Sequence, residues 1–298
     1  MEILHFKDIY KEYPTKEGEP FLVLDNIDLT INKGELCTLI GPSGCGKSTL
    51  IKLILGQIES TAGELTVKSL PVGAPDETRG IVYQKYSLYP NKTVLQNVLS
   101  GPYFKIPFWQ KEKRAEVKQY AIELLEKVKL GEHVDKFPHE LSGGMQQRVA
   151  IIQALITQPE ILLMDEPFGA LDPGTREFMQ TLLLELWEKY DLTILFITHD
   201  LEEACFLGTR LLVLSQYYSD DRGDSFQRGA KIVVDKKLPK GPFSTQIKEG
   251  EQFNQFIEEV KHQGFNPEFL QHVTEFDLSH PQSWSTLTTE EDTKTKPL

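Results

Sequence analysis

Cysteine is scarce in this 298-residue chain, and the three present, Cys37, Cys45 and Cys205, are odd in number and widely spaced. They read as reduced thiols of a reducing compartment, not as a disulfide framework. Long apolar runs are also missing. Runs such as Ile161-Leu162-Leu163-Met164 stop after a handful of residues, against the roughly 20 that a membrane-crossing helix needs. Met1 to Asp8 lacks a basic start followed by an apolar stretch, so no secretory signal is expected. Nor is there a basic excess: 32 Lys and Arg stand against 44 Asp and Glu, a net charge of −12. Residues 216–298 hold 10 basic and 14 acidic groups, leaving −8 for the first 215, so the acidity is not confined to a tail. Nucleic-acid affinity rests on cations neutralising phosphates, and no nucleic-acid partner is expected. Internal repeats are absent. A 40% hydrophobic and 26% charged composition is that of a globular chain with one large domain or one domain plus an appendage.

The first forty residues alternate apolar and polar positions around an interruption from Pro14 to Pro20, which predicts strands joined by a turn. Glu35 to Ile40 is a short apolar run that stops at Gly41, as a buried strand does. Ser48 to Leu55, ending at Gly56, predicts a helix with a glycine terminator. Lys111 to Leu130 is charged and helix-prone, with Val117, Ala121, Leu124, Leu125 and Val128 on one face and Gly131 at its end. From Ile161 the pattern runs strand, helix, strand, helix, strand: Ile161–Met164, Pro173–Lys189, Thr193–Thr198, Leu201–Leu207, Arg210–Leu214. Such alternation predicts an α/β fold with a mostly parallel core sheet covered by helices. It places N-terminal antiparallel strands beside that sheet and a helical subdomain inserted over about 86–157. Beyond about Ser215 the pattern weakens. Phe253, Phe256, Ile257 and Val260 have helical spacing, so Glu249–His262 is expected to form an amphipathic helix packing on its own domain or on another subunit. From about Ser283 a disordered tail is expected.

Gly41-Pro42-Ser43-Gly44-Cys45-Gly46-Lys47-Ser48 fits the P-loop pattern of two glycines five apart followed by Lys and Ser or Thr. Its glycines let a tight loop aim backbone N–H groups at phosphate oxygens, and the helix opening at Ser48 and Thr49 turns its positive end to the same anion. Lys47 would neutralise the β- and γ-phosphates, and Ser48 would offer a hydroxyl to Mg²⁺. The Ile161–Met164 strand ends in two carboxylates. Asp165 would orient Mg²⁺ and its waters, and Glu166 would act as general base on the attacking water. Cys45 lies inside the loop, so a thiol reagent is expected to inhibit and ATP to protect.

Leu141-Ser142-Gly143-Gly144-Met145-Gln146-Gln147-Arg148 then makes the chain resemble the nucleotide-binding subunits of ATP-binding cassette (ABC) transporters, over residues 1 to about 235. The resemblance implies a P-loop NTPase of the ABC-cassette type with ATP and Mg²⁺ as cofactors. It further implies that Ser142, Gly143, Gly144 and Gln146 contact the ATP held by the opposite subunit of a homodimer or paired cassette. Gln84 matches the loop glutamine near the metal, Asp172 the dimer-interface turn, His199 the switch histidine that meets the γ-phosphate, and Tyr13 the aromatic on adenine. Met145 stands where many members have glutamine, and Gln153 where an arginine is common.

Asp165 to Arg176, Thr198 to Ala204 and the segment 229–233 resemble the importer branch for nitrate, sulfonates and taurine. That implies a peripheral subunit on the cytoplasmic face of the inner membrane, working with integral membrane permease subunits and a separate solute-binding protein. Tyr86, Leu88 and Tyr89 are candidate contacts for the permease. A lipid-handling or export complex built on the same cassette is the alternative. A soluble ABC ATPase of DNA repair or translation is disfavoured, because zinc-type cysteine pairs, long coiled coils and a second cassette are all absent from the sequence. Residues 236–298 are expected to be a plain C-terminal extension.

Overall fold

The structure is a computed structural model that describes residues 1–15, 18, 20–85, 87–223, 228–238 and 251–283. The expected tail beyond 283 and the candidate contact Tyr86 lie outside the described residues. Two units are present: Met1–Pro75 with Leu195–Leu298, and Asp76–Ile194.

In the first unit, alternating apolar residues form β1 (Glu2–Tyr13) and β2 (Phe21–Asn32), which pair antiparallel. Ile3, Leu4, Phe6 and Ile9 face the core from one strand, Leu24, Ile27, Leu29 and Ile31 from the other. All five residues of β3 (Leu36–Ile40) are buried, as in a strand covered on both faces. After α1 (Lys47–Ile54), β4 (Ala62–Val67) and β5 (Leu70–Pro71) complete an antiparallel sheet of order β2-β1-β4-β5.

The second unit opens with β6 (Arg79–Tyr83) and continues through α2 (Val94–Lys105), α3 (Lys111–Lys127) and α4 (Gly143–Leu155) to β7 (Ile161–Asp165) and α5 (Pro173–Tyr190). β6 and β7 pair in parallel, so the helical segment serves as their crossover. A reciprocal cap starts α2: Gln96 N–H donates to Thr93 Oγ1 at 3.3 Å and Thr93 N–H to Gln96 Oε1 at 3.0 Å. In α3, Ala121, Leu124 and Leu125 are buried as their spacing predicts. This helix stops earlier than expected. Lys129 turns left-handed at φ 58°, and Gly131 opens a short 3₁₀ turn instead of terminating the helix. α5 begins on an Asp172 cap with Pro173 in its first turn, where a missing N–H costs nothing.

The chain returns to the first unit through β8 (Ile194–Ile197), then α6 (Leu201–Leu207), β9 (Arg210–Ser215), β10 (Tyr218–Ser219), β11 (Lys231–Lys237), α7 (Glu251–Phe265) and β12 (Gln271–His272). Its strand order is β11-β9-β3-β8, with β9 parallel to β3 and β11 antiparallel to β9. β11 was hidden from the pattern because two of its inward residues are charged. Asp235 takes two 2.7 Å bonds from Arg210, and Lys231 lies 3.9 Å from Asp25. Helix α7 packs on its own chain. Ile257 and Val260, flanked by Phe253 and Phe256, meet Val213, Tyr218, Val233 and Val234. A Cβ on Gly264 would lie 2.4 Å from Val213 Cγ1, so glycine sets how closely helix and sheet approach. Among the described residues no helix is long and apolar enough to cross a membrane.

Candidate functional site

The glycine-rich loop joins β3 to α1 in the first unit. Gly44 (φ 81°) and Gly46 (φ 107°) hold backbone conformations that L side chains rarely adopt. Gly46 also caps α1, and no side chain bonds the helix start. First-turn N–H groups of a helix have no partner four residues back, so those of Lys47, Ser48 and Thr49 are the donors an anion meets here. Lys47 Nζ turns onto the loop itself, donating to the carbonyls of Gly41 (2.7 Å) and Pro42 (2.9 Å).

Cys45 corrects one expectation. Its side chain is buried, and burial pushes the thiol pKa up, against the opposing pull of nearby Lys47. A protonated, covered sulfur is a poor nucleophile, so a thiol reagent has little access to it.

His199 follows β8, the neighbour of β3. Thr198 N–H donates to the Leu39 carbonyl at 3.2 Å, which brings the exposed His199 to the strand end where the glycine loop starts. Tyr13 closes β1 opposite Phe21, while Lys11 on the same strand pairs with Leu24. Leu24 and Val23 face Gly46, since a Cβ there would meet their side chains at 2.9 and 3.0 Å. The β1–β2 ribbon carrying Tyr13 therefore borders the loop. Lys11 Nζ lies 5.1 Å from the Tyr13 ring centroid and donates to the Glu59 carbonyl at 2.8 Å.

The second unit brings three further predicted residues together. β6 and β7 are paired so that Tyr83 lies opposite Asp165. In a parallel pair the next residues, Gln84 and Glu166, leave the same sheet edge. Asp165 and Glu166 are half-buried. Glu166 sits at φ 46°, in the left-handed region, and Gly169 N–H closes the turn onto its carbonyl at 3.3 Å. Non-glycine residues adopt that conformation at a cost of roughly 1–3 kcal/mol, and such residues cluster at functional sites. Buried Phe168 anchors the turn.

The signature segment opens α4. Ser142 is exposed and caps the helix, its Oγ accepting from Met145 N–H at 3.4 Å. Gly143 is half-buried and Gly144 buried, while Gln146 bends back to donate to the Leu141 carbonyl at 3.2 Å. Asp172 is exposed and accepts from Thr175 N–H at 3.0 Å. The hydrogen bond from Thr175 holds its carboxyl below the usual range.

Two residues were missed by reading the sequence. Asn97 is fully buried and clamps the segment that follows Gln84. It accepts from Tyr89 N–H at 2.7 Å and donates to the carbonyls of Tyr89, Lys92 and Thr93 at 2.9–3.1 Å. Arg114 donates to the carbonyls of Tyr103 and Ile106 at 2.9–3.0 Å and stacks 4.4 Å from the Tyr103 ring. For Asn97 the signal was a polar residue among Val94, Leu95, Val98 and Leu99, whereas Arg114 sits in the charged run Lys111 to Glu116 and carried none. Beside these clamps lies an open cavity of about 810 Å³, lined in part by Tyr89, Ser100, Phe104, Lys105, Tyr120 and Gln153.

A phosphate loop between a buried strand and a helix, within an α/β fold, defines a P-loop nucleoside triphosphatase. Residues 24–169 match the family described as ABC transporter. The chain is 45% identical over 199 residues to the aliphatic sulfonates import ATP-binding protein SsuB of Bacillus subtilis, covering 67% of this chain and 75% of that protein. It is 42% identical over 213 residues to the bicarbonate transport ATP-binding protein CmpD of Synechocystis, covering 71% and 74%. Its fold matches the dimeric, post-hydrolysis structure of the ATP-binding cassette MJ0796 bound to ADP and Pi. There the TM-score is 0.64 at 30% identity, over 80% of this chain and all of the other. The chain belongs to the ABC transporter ATP-binding family, and its reaction is the hydrolysis of ATP.

Proposed function

We propose that this ATPase powers the import of a small anionic solute, of the nitrate, sulfonate or taurine kind, through separate membrane subunits. Two relatives named for sulfonate and bicarbonate transport support the anion class. The observation that carries the chemistry is the start of α1, which no side chain caps, joined to a loop whose Gly44 and Gly46 hold left-handed conformations. In this reading, Ser43, Cys45, Gly46 and Thr49 offer backbone N–H groups to the triphosphate, and Pro42, which has no N–H, shapes the loop around it. Lys47 exchanges its two carbonyl partners for β- and γ-phosphate oxygens, and Tyr13 lies on the adenine.

Ser48, Gln84 and Asp165 offer hard oxygen donors, the chemistry Mg²⁺ selects. Among the described residues no cluster of three His, Cys, Asp or Glu side chains forms a cage. That suits an ion that keeps waters and substrate phosphates as most of its ligands. When bound, Mg²⁺ neutralises charge developing on the phosphates. Glu166 takes the proton of the attacking water and His199 donates to the γ-phosphate.

Exposed Ser142 with Gly143 and Gly144 would meet the ATP of a second copy or paired cassette, with Asp172 at the shared seam. ATP then closes the pair because it binds the closed state better. The segment clamped by Asn97 and the 810 Å³ cavity beside it would receive a cytoplasmic helix of the permease, with Leu88 and Tyr89 as contacts. The site is thus peripheral, on the cytoplasmic face of the inner membrane, and a solute-binding protein delivers the cargo. We assign residues 1–235 to the cassette, with 86–157 as its helical subdomain, and 236–298 to the extension.

Two substitutions test the assignment. Lys47→Ala abolishes ATP binding or turnover. Glu166→Gln keeps binding while turnover falls by about 10²–10⁴-fold, the usual worth of a general base. Normal turnover by the Glu166→Gln protein would remove that residue from the role.

A further inference from the structure

The turn between β8 and α6 is three residues long: Thr198, His199 and Asp200. His199 is exposed, yet its neighbours are locked. Thr198 is 2% exposed, and Glu203, one turn into α6, is 6% exposed. Thr198 Oγ1 donates to Glu203 Oε2 at 2.6 Å. The same Oγ1 accepts from Asp200 N–H at 3.0 Å, and Asp200 Oδ1 accepts from Glu203 N–H at 3.1 Å. Three bonds thus close a ring around His199, and the Thr198 N–H bond to Leu39 ties that ring to β3.

Glu203 is an expensive residue for an ordinary cap. A helix start needs only Asp200, whose side chain already caps α6. A buried carboxylate costs free energy unless hydrogen-bonded. This one accepts from the Thr198 hydroxyl across the turn at 2.6 Å, the length of a charge-assisted bond. A carboxylate only accepts, so it dictates where the Thr198 proton points and leaves the oxygen free to hold Asp200 N–H. The direction of His199 follows from both ends.

We propose that Glu203, acting through Thr198, is a positioning residue for His199 in ATP hydrolysis. The inference rests on the reading of His199 as the residue that meets the γ-phosphate. Releasing the ring lets the imidazole swing while leaving the phosphate loop untouched. A misplacement near 1 Å in an active site costs on the order of 10²-fold in rate.

The test uses the full-length chain with Thr198→Val, Thr198→Ser, Glu203→Ala, His199→Ala and the His199→Ala/Glu203→Ala double variant. Steady-state ATPase rates, affinity for a fluorescent ATP analogue and thermal melts are measured for each. Thr198→Val and Glu203→Ala should lower kcat by about 10- to 100-fold with KM and analogue affinity little changed. Thr198→Ser, which restores the hydroxyl, should recover most of the rate. Adding Glu203→Ala to His199→Ala should cost nothing more. If His199→Ala loses turnover while Thr198→Val and Glu203→Ala keep it, the positioning role is wrong. A double variant slower than His199→Ala overturns it as well, since Glu203 would then act independently. Parental turnover by His199→Ala refutes the underlying reading of that residue, and the proposal with it. Should Glu203→Ala not fold, the Thr198→Val and Thr198→Ser pair decides the question.

Discussion

An alanine at position 41 has nowhere to put its methyl group. The Cβ would fall 2.1 Å from the Leu214 carbonyl oxygen and 2.9 Å from Cys45 Sγ. Real Cβ atoms essentially never come within 3.0 Å of such neighbours, so the shortfall against the carbonyl is about 0.9 Å. That oxygen cannot retreat cheaply. It belongs to β9, whose neighbouring Val213 is paired with Ile40 at the end of β3. Either the β3–β9 ladder frays or the phosphate loop lifts. Overpacking of this kind costs about 1–3 kcal/mol, and each kcal/mol lowers Tm by about 2–4 °C in a domain of this size. A loop lifted by nearly 1 Å should also weaken nucleotide use by about 10²-fold. Gly44→Ala separates strain from clash: φ is 81° but no atom lies within 4 Å. It should cost about 1–2 kcal/mol from backbone alone. Gly73→Ala, with open space and an ordinary φ, should be neutral within about 0.5 kcal/mol. Thermal melts and binding of a fluorescent ATP analogue measure all three. A Gly41→Ala protein that melts and binds nucleotide like its parent would refute the close approach of loop and strand.

Further expectations concern buried groups. Cys45 should resist iodoacetamide near neutral pH, because its pKa is raised; labelling followed by mass spectrometry should speed up about tenfold per pH unit below that pKa. Labelling as fast as a free cysteine at pH 7 would contradict its burial. Asp235→Ala leaves Arg210 charged at 1% exposure and should cost about 3–5 kcal/mol in urea unfolding; an unchanged midpoint would mean the pair is dispensable. Asn97→Ala removes the side-chain partners of the Tyr89 N–H and the Lys92 carbonyl, while the Tyr89 and Thr93 carbonyls keep their backbone donors; this should cost about 1–3 kcal/mol, read by the same unfolding assay. Parental stability would show that water replaces the clamp.

The helical crossover shows why some features were legible and others not. The apolar face of α3 is local, so spacing alone announces it. Where α3 ends was not announced, because Lys129 adopts a left-handed conformation that sequence usually reserves for glycine. β11 was obscured for a different reason. Lys231 and Asp235 break its alternation, and only partners far along the chain, Asp25 and Arg210, make their burial tolerable.

The amino-acid order alone determined the phosphate loop, the acidic end of β7, the signature cap at Ser142 and the alternation of strands and helices. Each depends on neighbours within a few residues, where residue type dictates backbone conformation and available donors. The folded chain decided the rest. It set Tyr83 opposite Asp165, so that Gln84 and Glu166 leave one edge. It sealed Cys45 inside the loop, laid α7 on its own sheet and tied Thr198 to Glu203 around His199. Most of these outcomes join residues far apart along the chain, and the shortest, the Glu203 tie to Thr198, needs the side chain itself to be placed. Burial and register are properties of the closed structure, so no local pattern encodes them.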